Sequence, residues 1–461
     1  MGNSMRTVRI GNGAGFWGDN LDAPRLLAEA GRLDYLTLEY LAELTMSILA
    51  HQRSRDVETG YVGDFPTVVE SLLPTLRSQP ELRIVTNAGG MNPAGCARRV
   101  AEILAVGDLA DMRIAAVSGD DLTAAIDEHL AAGEVFSHLE TGQPLGDLRE
   151  RVVSANAYLG AAGIVEALAN DARVVITGRV ADASLVLGPA LHEFGWDQND
   201  WQRLAGATVA GHLVECGAQL TGGMNSTWTS ETPLANLGYP IAELSEDGTA
   251  IVTKADETDG RVTCETVSEQ LIYEIGDPAH YLTPDVDADF SQVALEEVGP
   301  DRVRVSGAQG NPAPERLKVS LAYSDGWKAS GMLVVAGRDC AAKAKIAGQM
   351  LLDRVQRAGF KLDRTLVECL GAGDSMPGIA LGTGDPWEVV LRVSAFDSRR
   401  VAVERFCREF APLVTSGPPG VTGYTGARAR AQRVLAYWPT TIARGAVTPH
   451  VTVKTATEWT T

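Results

Sequence analysis

The chain is short of the features that mark extracellular, membrane-bound or nucleic-acid-binding proteins. Its 461 residues include six cysteines, Cys96, Cys216, Cys264, Cys340, Cys369 and Cys407, and no two form a Cys-x-x-Cys pair. Scattered single cysteines make neither a disulfide framework nor a zinc ribbon, and they fit a reducing, cytoplasmic setting. Basic residues are outnumbered, 40 against 59 acidic, for a formal net charge of −19. Phosphate backbones and anionic membrane surfaces are bound by clustered Lys and Arg, so neither nucleic acid nor a membrane is an expected partner. No uninterrupted apolar run reaches the roughly 20 residues of a membrane span. The most apolar stretch, VVITGRVADASLVLGPAL, is broken by Arg179 and Asp182. The N-terminal MGNSMRTVRIG lacks the apolar core of a signal peptide. No low-complexity tract and no repeat of fixed short period is present.

What the chain does have is ample apolar material, 45% of all residues, arranged in a recurring pattern. Four times in the first half an apolar run stops in a Gly/Asn/Asp loop, after which a helical pattern begins. The four are TVRI-GNGAGFWGDN, LRIVT-NAGGMNP, MRIAAVS-GDD and ARVVI-TGRVADAS. Such alternation predicts parallel strands with crossover helices. Strands are expected near 7–12, 33–39, 82–87, 112–118 and 172–178. Helices are expected near 21–31, 41–54, 65–78, 94–107, 122–132, 152–170, 183–194 and 201–218. The predicted fold class is α/β. A doubly wound, mostly parallel sheet occupies residues 1–232, a β-rich connecting region 233–310, and a two-layer α+β domain 311–461. In the last region the expected order is strand, strand, helix, strand, strand, helix, strand.

Parallel strands point the same way, so the four loops should share one sheet edge, where ligands of such folds bind. The first loop offers Gly13, Gly15 and Asp19, the second Asn87, Gly89, Gly90 and Asn92, all taken as substrate-binding candidates. Backbone N–H groups and neutral amides there can hold a carbonyl, carboxylate or phosphate. Gly13-Gly15-Gly18 is also a formal GxGxxG after a strand, with Glu39 near the position of a ribose ligand. Against a dinucleotide stand bulky Phe16 and Trp17, a helix starting later near Pro24, and Asp19 and Asp22 beside any phosphate. The fourth loop carries Arg179, a carboxylate or phosphate holder, and Asp182, a general base, a simple ion-pair partner of Arg179 or a helix cap.

Thr208, His212, Glu215 and Gln219 follow at spacings of four, three and four, one face of a small-residue helix without Lys or Arg on that stripe. His212 and Glu215 suit an acid–base pair better than a metal site, since no further His-rich cluster supplies ligands. Cys216 beside them is a nucleophile candidate if its pKa is lowered. Asn156 is expected to point inward from a helix. Asn225 after two glycines is a further binding candidate, and Glu274, Asp277 and Tyr281 are placed to close over the sheet edge.

Taken together, GNGAGFWGD, YLAELTM, TNAGGMNP, TGRVADASLVLGPA, AGHLVECGAQLTGG and YEIGDPAHYLTPDV resemble the acyclic terpene utilisation (AtuA-like) family over roughly residues 5–445. The resemblance implies bacterial catabolism of citronellol- and geraniol-type terpenes, a route through branched acyl-CoA thioesters. It adds weight to Asn87, Arg179, Asp182, His212, Glu215 and Cys216 without assigning them roles. Some members carry a small C-terminal ferredoxin-like domain. No equivalent follows VTVKT, which leaves room for a separate small subunit as partner beside an expected homo-oligomer.

The combined expectation is a cytoplasmic acid–base enzyme of lyase or hydratase type. It would act on a branched or isoprenoid-type carboxylic acid or acyl-CoA thioester by hydration, dehydration or carbon–carbon lysis next to a carbonyl. No cofactor is assigned; NAD(P) and a divalent metal stay open. Two rival readings stay open as well: a nicotinamide-dependent oxidoreductase using the Gly13-Gly15-Gly18 loop, and a non-catalytic partner-binding subunit.

Overall fold

The computed structural model describes residues 5–379, 386–424 and 426–461. The chain forms two compact units. The first runs to Ala322 and resumes at Tyr437, and the second is Tyr323–Ala436.

In chain order the early strands are β1 (Thr7–Asn12), β2 (Tyr35–Leu38), β3 (Arg83–Thr86), β4 (Arg113–Ser118), β5 (Val152–Ala157) and β6 (Val174–Thr177). Then come β7 (Pro240–Ser245), β8 (Ala250–Lys254), β9 (Tyr281–Leu282), β10 (Asp287–Asp289), β11 (Ala294–Gly299), β12 (Arg302–Ser306) and β13 (Gln309–Asn311). The remainder are β14 (Arg316–Ala336), β15 (Arg364–Leu370), β16 (Glu388–Asp397), β17 (Val421–Tyr424), β18 (Gln432–Ala443) and β19 (His450–Thr455).

The main sheet of the first unit has ten strands in the order β11-β12-β8-β7-β1-β2-β3-β6-β4-β19. The central run β1-β2-β3-β6-β4 is parallel throughout. Both flanks are antiparallel: β7 pairs with β1 on one side and β19 with β4 on the other. The alternation of side chains explains why the central strands read as continuous apolar runs. Ile84, Val174, Ile176 and Ile114 face one core, while Val85, Val175, Ala115 and Val117 face the other. A parallel strand covered on both faces has no polar side to show.

Three expectations need correction. The segment 152–170 is not one helix: β5 comes first, and the helix covers only Ala162–Ala169. Asn156 therefore lies in a strand, fully buried, where its Nδ2 donates to Asp120 Oδ2 at 2.8 Å. The runs RLKVSLAYS and KASGMLVVAG, expected as two strands, are the single strand β14. TPHVTVKT, expected within the C-terminal α+β region, is β19 and completes the first unit's sheet. The helix after it, Ala456–Thr460, buries Trp459, whose indole N–H donates to the Ile114 carbonyl at 3.0 Å.

In the second unit β16 pairs antiparallel with both β14 and β15. Burial along β16 alternates strictly, which marks a sheet covered on one face. Leu333, Val335, Leu391 and Val393 pack there with Leu351 of the helix Cys340–Arg357 and Phe406 of the helix Arg400–Arg408. This is a two-layer α+β arrangement.

Candidate active site

The residues after β1, β3, β4 and β6 all lie at the carboxyl edge of the parallel run, as the four-loop pattern predicts. A cavity of about 830 Å³ opens there, within the first unit. Its wall includes Gly15 and Asp19 from the first loop, Glu39 after β2, Arg179 and Asp182 after β6, and His212, Glu215 and Cys216 from the end of a helix.

The loop after β6 is fixed before any side chain acts. Arg179 N donates to Asp120 Oδ2 at 2.9 Å. Leu159 N bonds the Arg179 carbonyl at 3.1 Å, and Ala181 N bonds the Leu159 carbonyl at 2.8 Å. The Arg179 guanidinium is almost wholly buried. Its Nη1 donates to the Leu41 carbonyl at 2.7 Å, and its Cζ stands 4.1 Å from the centre of the Tyr158 ring. Asp182 Oδ1 lies 2.9 Å from Nη1, an ion pair without hydrogen-bond alignment, and Glu39 Oε1 lies 3.9 Å away. Arg179 is thus engaged by the protein instead of presenting an open fork to a ligand. Glu39 Oε1 accepts from Asn87 Nδ2 at 2.5 Å and from Leu41 N at 2.8 Å, and Oε2 is buried without a partner. Burial, then the charge of Asp182, raise the Glu39 carboxyl well above its usual range, against the pull of Arg179.

The second group stands on the helix Trp201–Glu215, whose residues from Thr208 to Glu215 are all buried. The stripe is therefore a core stripe, not a solvated face. His212 Nε2 stands 3.0 Å from the Gln270 carbonyl oxygen and Nδ1 3.1 Å from Glu215 Oε1. A carbonyl only accepts, so Nε2 carries a hydrogen. Nδ1 then either accepts from a neutral Glu215 or donates to an ionised one; both forms put one proton between the two. Burial raises the Glu215 carboxyl, while for His212 the neighbouring Glu215 outweighs burial and raises the imidazole. Both shifts keep that proton in place. Glu215 Oε2 and Thr208 Oγ1 are buried without partners. The imidazole packs 5.5 Å from both the Tyr281 and Phe290 ring centres.

The first loop reaches this helix. Asn12 Nδ2 donates to the Val214 and Glu215 carbonyls at 2.8 and 2.9 Å. Gly15 lies so close that a Cβ there would stand 2.7 Å from the Cys216 carbonyl carbon. Asp19 accepts from Gly15 N at 2.9 Å and from the Tyr239 hydroxyl at 2.5 Å, which shapes the loop. The helix that follows starts at Ala23, so no helix N-terminus sits on the glycines in the manner of a dinucleotide fold. Gly13 is absent from the cavity wall; its N–H bonds the Thr37 carbonyl at 2.9 Å.

The loop after β3 does not reach the cavity, contrary to the substrate-binding roles expected for it. Asn87 braces Glu39 and accepts from Tyr40 N at 2.9 Å. Gly89 leaves room for the Thr177 carbonyl, 2.5 Å from where a Cβ would lie, and Gly90 N bonds the Asn87 carbonyl at 3.1 Å. Asn92 caps the helix Pro93–Val106 through Gly95 N at 3.0 Å. Asn225 does not line the cavity either: it donates to Glu269 Oε2 of the helix Cys264–Leu271 at 2.9 Å and accepts from Thr227 N at 3.1 Å. Burial pushes the Cys216 thiol up to about 12, so it is no thiolate at neutral pH. Glu274 and Tyr281 do line the cavity; Asp277 does not.

Sequence reasoning missed Glu43, Tyr158 and Lys318. Tyr158 OH donates to Glu43 Oε1 at 2.8 Å, and Lys318 Nζ does so at 3.0 Å. Burial opposes the Glu43 charge, yet Lys318 and Tyr158 outweigh it and bring the carboxyl down to about 2. Residues 43, 158 and 318 are too far apart in sequence for spacing to join them. Among the described residues no group of three or more His, Cys, Asp or Glu is placed to hold a metal ion, and no helix is long and apolar enough to cross a membrane.

The class so defined is an α/β protein with an Arg179–Asp182 ion pair and a buried His212–Glu215 pair on one strand-end cavity. Residues 8–453 match the family model described as Acyclic terpene utilisation family protein AtuA, and the chain belongs to that family. Membership implies a role in acyclic terpene utilisation. No curated protein and no solved structure matches the chain.

Proposed function

We propose that the protein is an acid–base enzyme of lyase or hydratase type, acting next to the carbonyl of a branched or isoprenoid-type carboxylic acid or its thioester. The observation that carries this reading is the pairing on one cavity wall. Asp182 is held against a fixed cation, and His212–Glu215 keeps one proton in a buried pair. A base and an acid facing one substrate are what proton removal beside a carbonyl requires. In dehydration, Asp182 takes the proton from the carbon next to the carbonyl. The His212–Glu215 proton goes to the departing hydroxyl, which leaves as water while the double bond forms. Hydration is the reverse. Gln219 on the same wall supplies a neutral amide for the carbonyl oxygen, the part first expected of the Asn87–Asn92 loop. Arg179 orients Asp182 and does not hold the substrate carboxylate.

The test is to incubate the protein with branched 2-enoyl and 3-hydroxyacyl thioesters in D2O and follow them by NMR. Interconversion, cleavage, or deuterium uptake next to the carbonyl supports the reading. Their complete absence across both series overturns it.

A further inference from the structure

The cavity combines a polar interior with an apolar mouth, and its cations are already spoken for. Phe16, Leu139, Met224, Tyr273 and Leu282 all line it and are exposed. Large apolar side chains grouped around an opening mark a surface that an apolar ligand covers. The cavity wall includes six carboxyl-bearing residues, Asp19, Glu39, Glu43, Asp182, Glu215 and Glu274, but only three of Arg or Lys type. Each of those three is engaged. Arg179 bonds the Leu41 carbonyl and Asp182. Arg316 bonds Glu134 Oε2 at 2.6 Å and Thr441 Oγ1 at 2.8 Å. Lys318 bonds Glu43 and lies 4.6 Å from the Tyr158 ring centre. Arg179 Nε is buried without a partner. Phosphate groups are held by open guanidinium or ammonium groups or by free backbone N–H groups at helix starts.

We propose that this site recognises the acyl part of its substrate, head and apolar tail, and does not read a nucleotide carrier. Exposed apolar residues at the mouth hold the aliphatic chain, while a phosphate-bearing carrier finds acidic wall and committed cations. This rests on the acid–base reading for the choice of an acyl ligand. It goes beyond that reading by separating a free acid or short thioester from a coenzyme A thioester.

The experiment is isothermal titration calorimetry of the whole protein with four probes. They are 3,7-dimethyloct-6-enoic acid, its N-acetylcysteamine thioester, its coenzyme A thioester, and coenzyme A alone, at low and high salt. The expected result is binding of both thioesters with affinities less than about tenfold apart, little salt dependence, and no binding of coenzyme A alone. A coenzyme A thioester preferred by about tenfold or more, or binding of coenzyme A alone, overturns the proposal. So does failure of all the acyl probes to bind. Binding of the acyl probes, with no reaction or deuterium uptake in the 2-enoyl and 3-hydroxyacyl series, overturns the acid–base reading and leaves the carrier inference standing.

Discussion

Two loops of the same sheet edge, Asn87–Asn92 after β3 and Gly178–Ala183 after β6, start from similar material and end in different roles. Each follows a short, fully covered parallel strand, and each precedes a helix. In the first, every polar side chain is turned back on the protein: Asn87 onto Glu39 and Tyr40, Asn92 onto its helix and onto the Val57 and Thr59 carbonyls. In the second, Arg179 goes inward and leaves Asp182, its partner, about a third exposed on the cavity wall. A neutral amide can satisfy both its donor and its acceptor locally. Asp182 has no donor to give back and no hydrogen-bond donor on its Oδ1, and it stays part-exposed beside the Arg179 cation. The two loops thus differ in where their polar groups find partners: within the protein for Asn87 and Asn92, and at the cavity wall for Asp182.

The sharpest way to break this comparison is to neutralise each loop in turn. Asp182→Asn keeps size and removes charge; turnover should fall by about 10²–10⁴, the scale of a lost acid–base group, with Tm within a few degrees. Unchanged turnover removes Asp182 from the chemistry. His212→Gln should slow turnover by about a hundredfold or more. It should also remove the alkaline limb of the pH–rate profile. The sign follows from the raised His212 and Glu215 values: the shared proton is lost as pH rises through them, and the acid function goes with it.

Asp120, which supports the second loop, tests stability. Burial raises its carboxyl from 3.8 to about 6. The folded form holds a proton that the unfolded form has released, so stability falls as pH rises between those values, by roughly 2–3 kcal/mol at most. Asp120→Asn should show no Tm advantage near pH 3.5 and its full advantage above pH 6. Asn92→Ala in the first loop should cost about 1 kcal/mol of stability as a lost cap. The same change should leave kcat/KM unaltered; a large loss of activity would return that loop to the site. The smallest effect belongs to Cys216→Ser, for which activity within about threefold of the parent is expected, since a thiol raised to about 12 is not the nucleophile.

The central sheet was readable because doubly covered strands have an apolar signature, and the Gly/Asn/Asp loops marked their ends. The placement of Asp182, His212 and Glu215 on one cavity wall was readable for local reasons: one interrupts an apolar run, the others share a helical stripe. Where the reading failed, the decisive contact was distant in sequence. β5 has the Ala-rich composition of a helix, but Asn156 is fixed by Asp120. The β3 loop resembles a ligand loop because turn residues and ligand-binding residues are the same types. Glu43, Tyr158 and Lys318 meet only in three dimensions.

The last strand of the sheet, β19, has a consequence for synthesis on the ribosome. It covers the β4 edge, yet its residues emerge only after all of Tyr323–Ala436 has been translated. At roughly 5–20 residues per second, β4 spends many seconds as an unpaired border, the kind of strand that recruits other chains. The second unit can complete its own core in that interval. The first must wait, and nascent chains stalled before His450 would be the ones most in need of a chaperone.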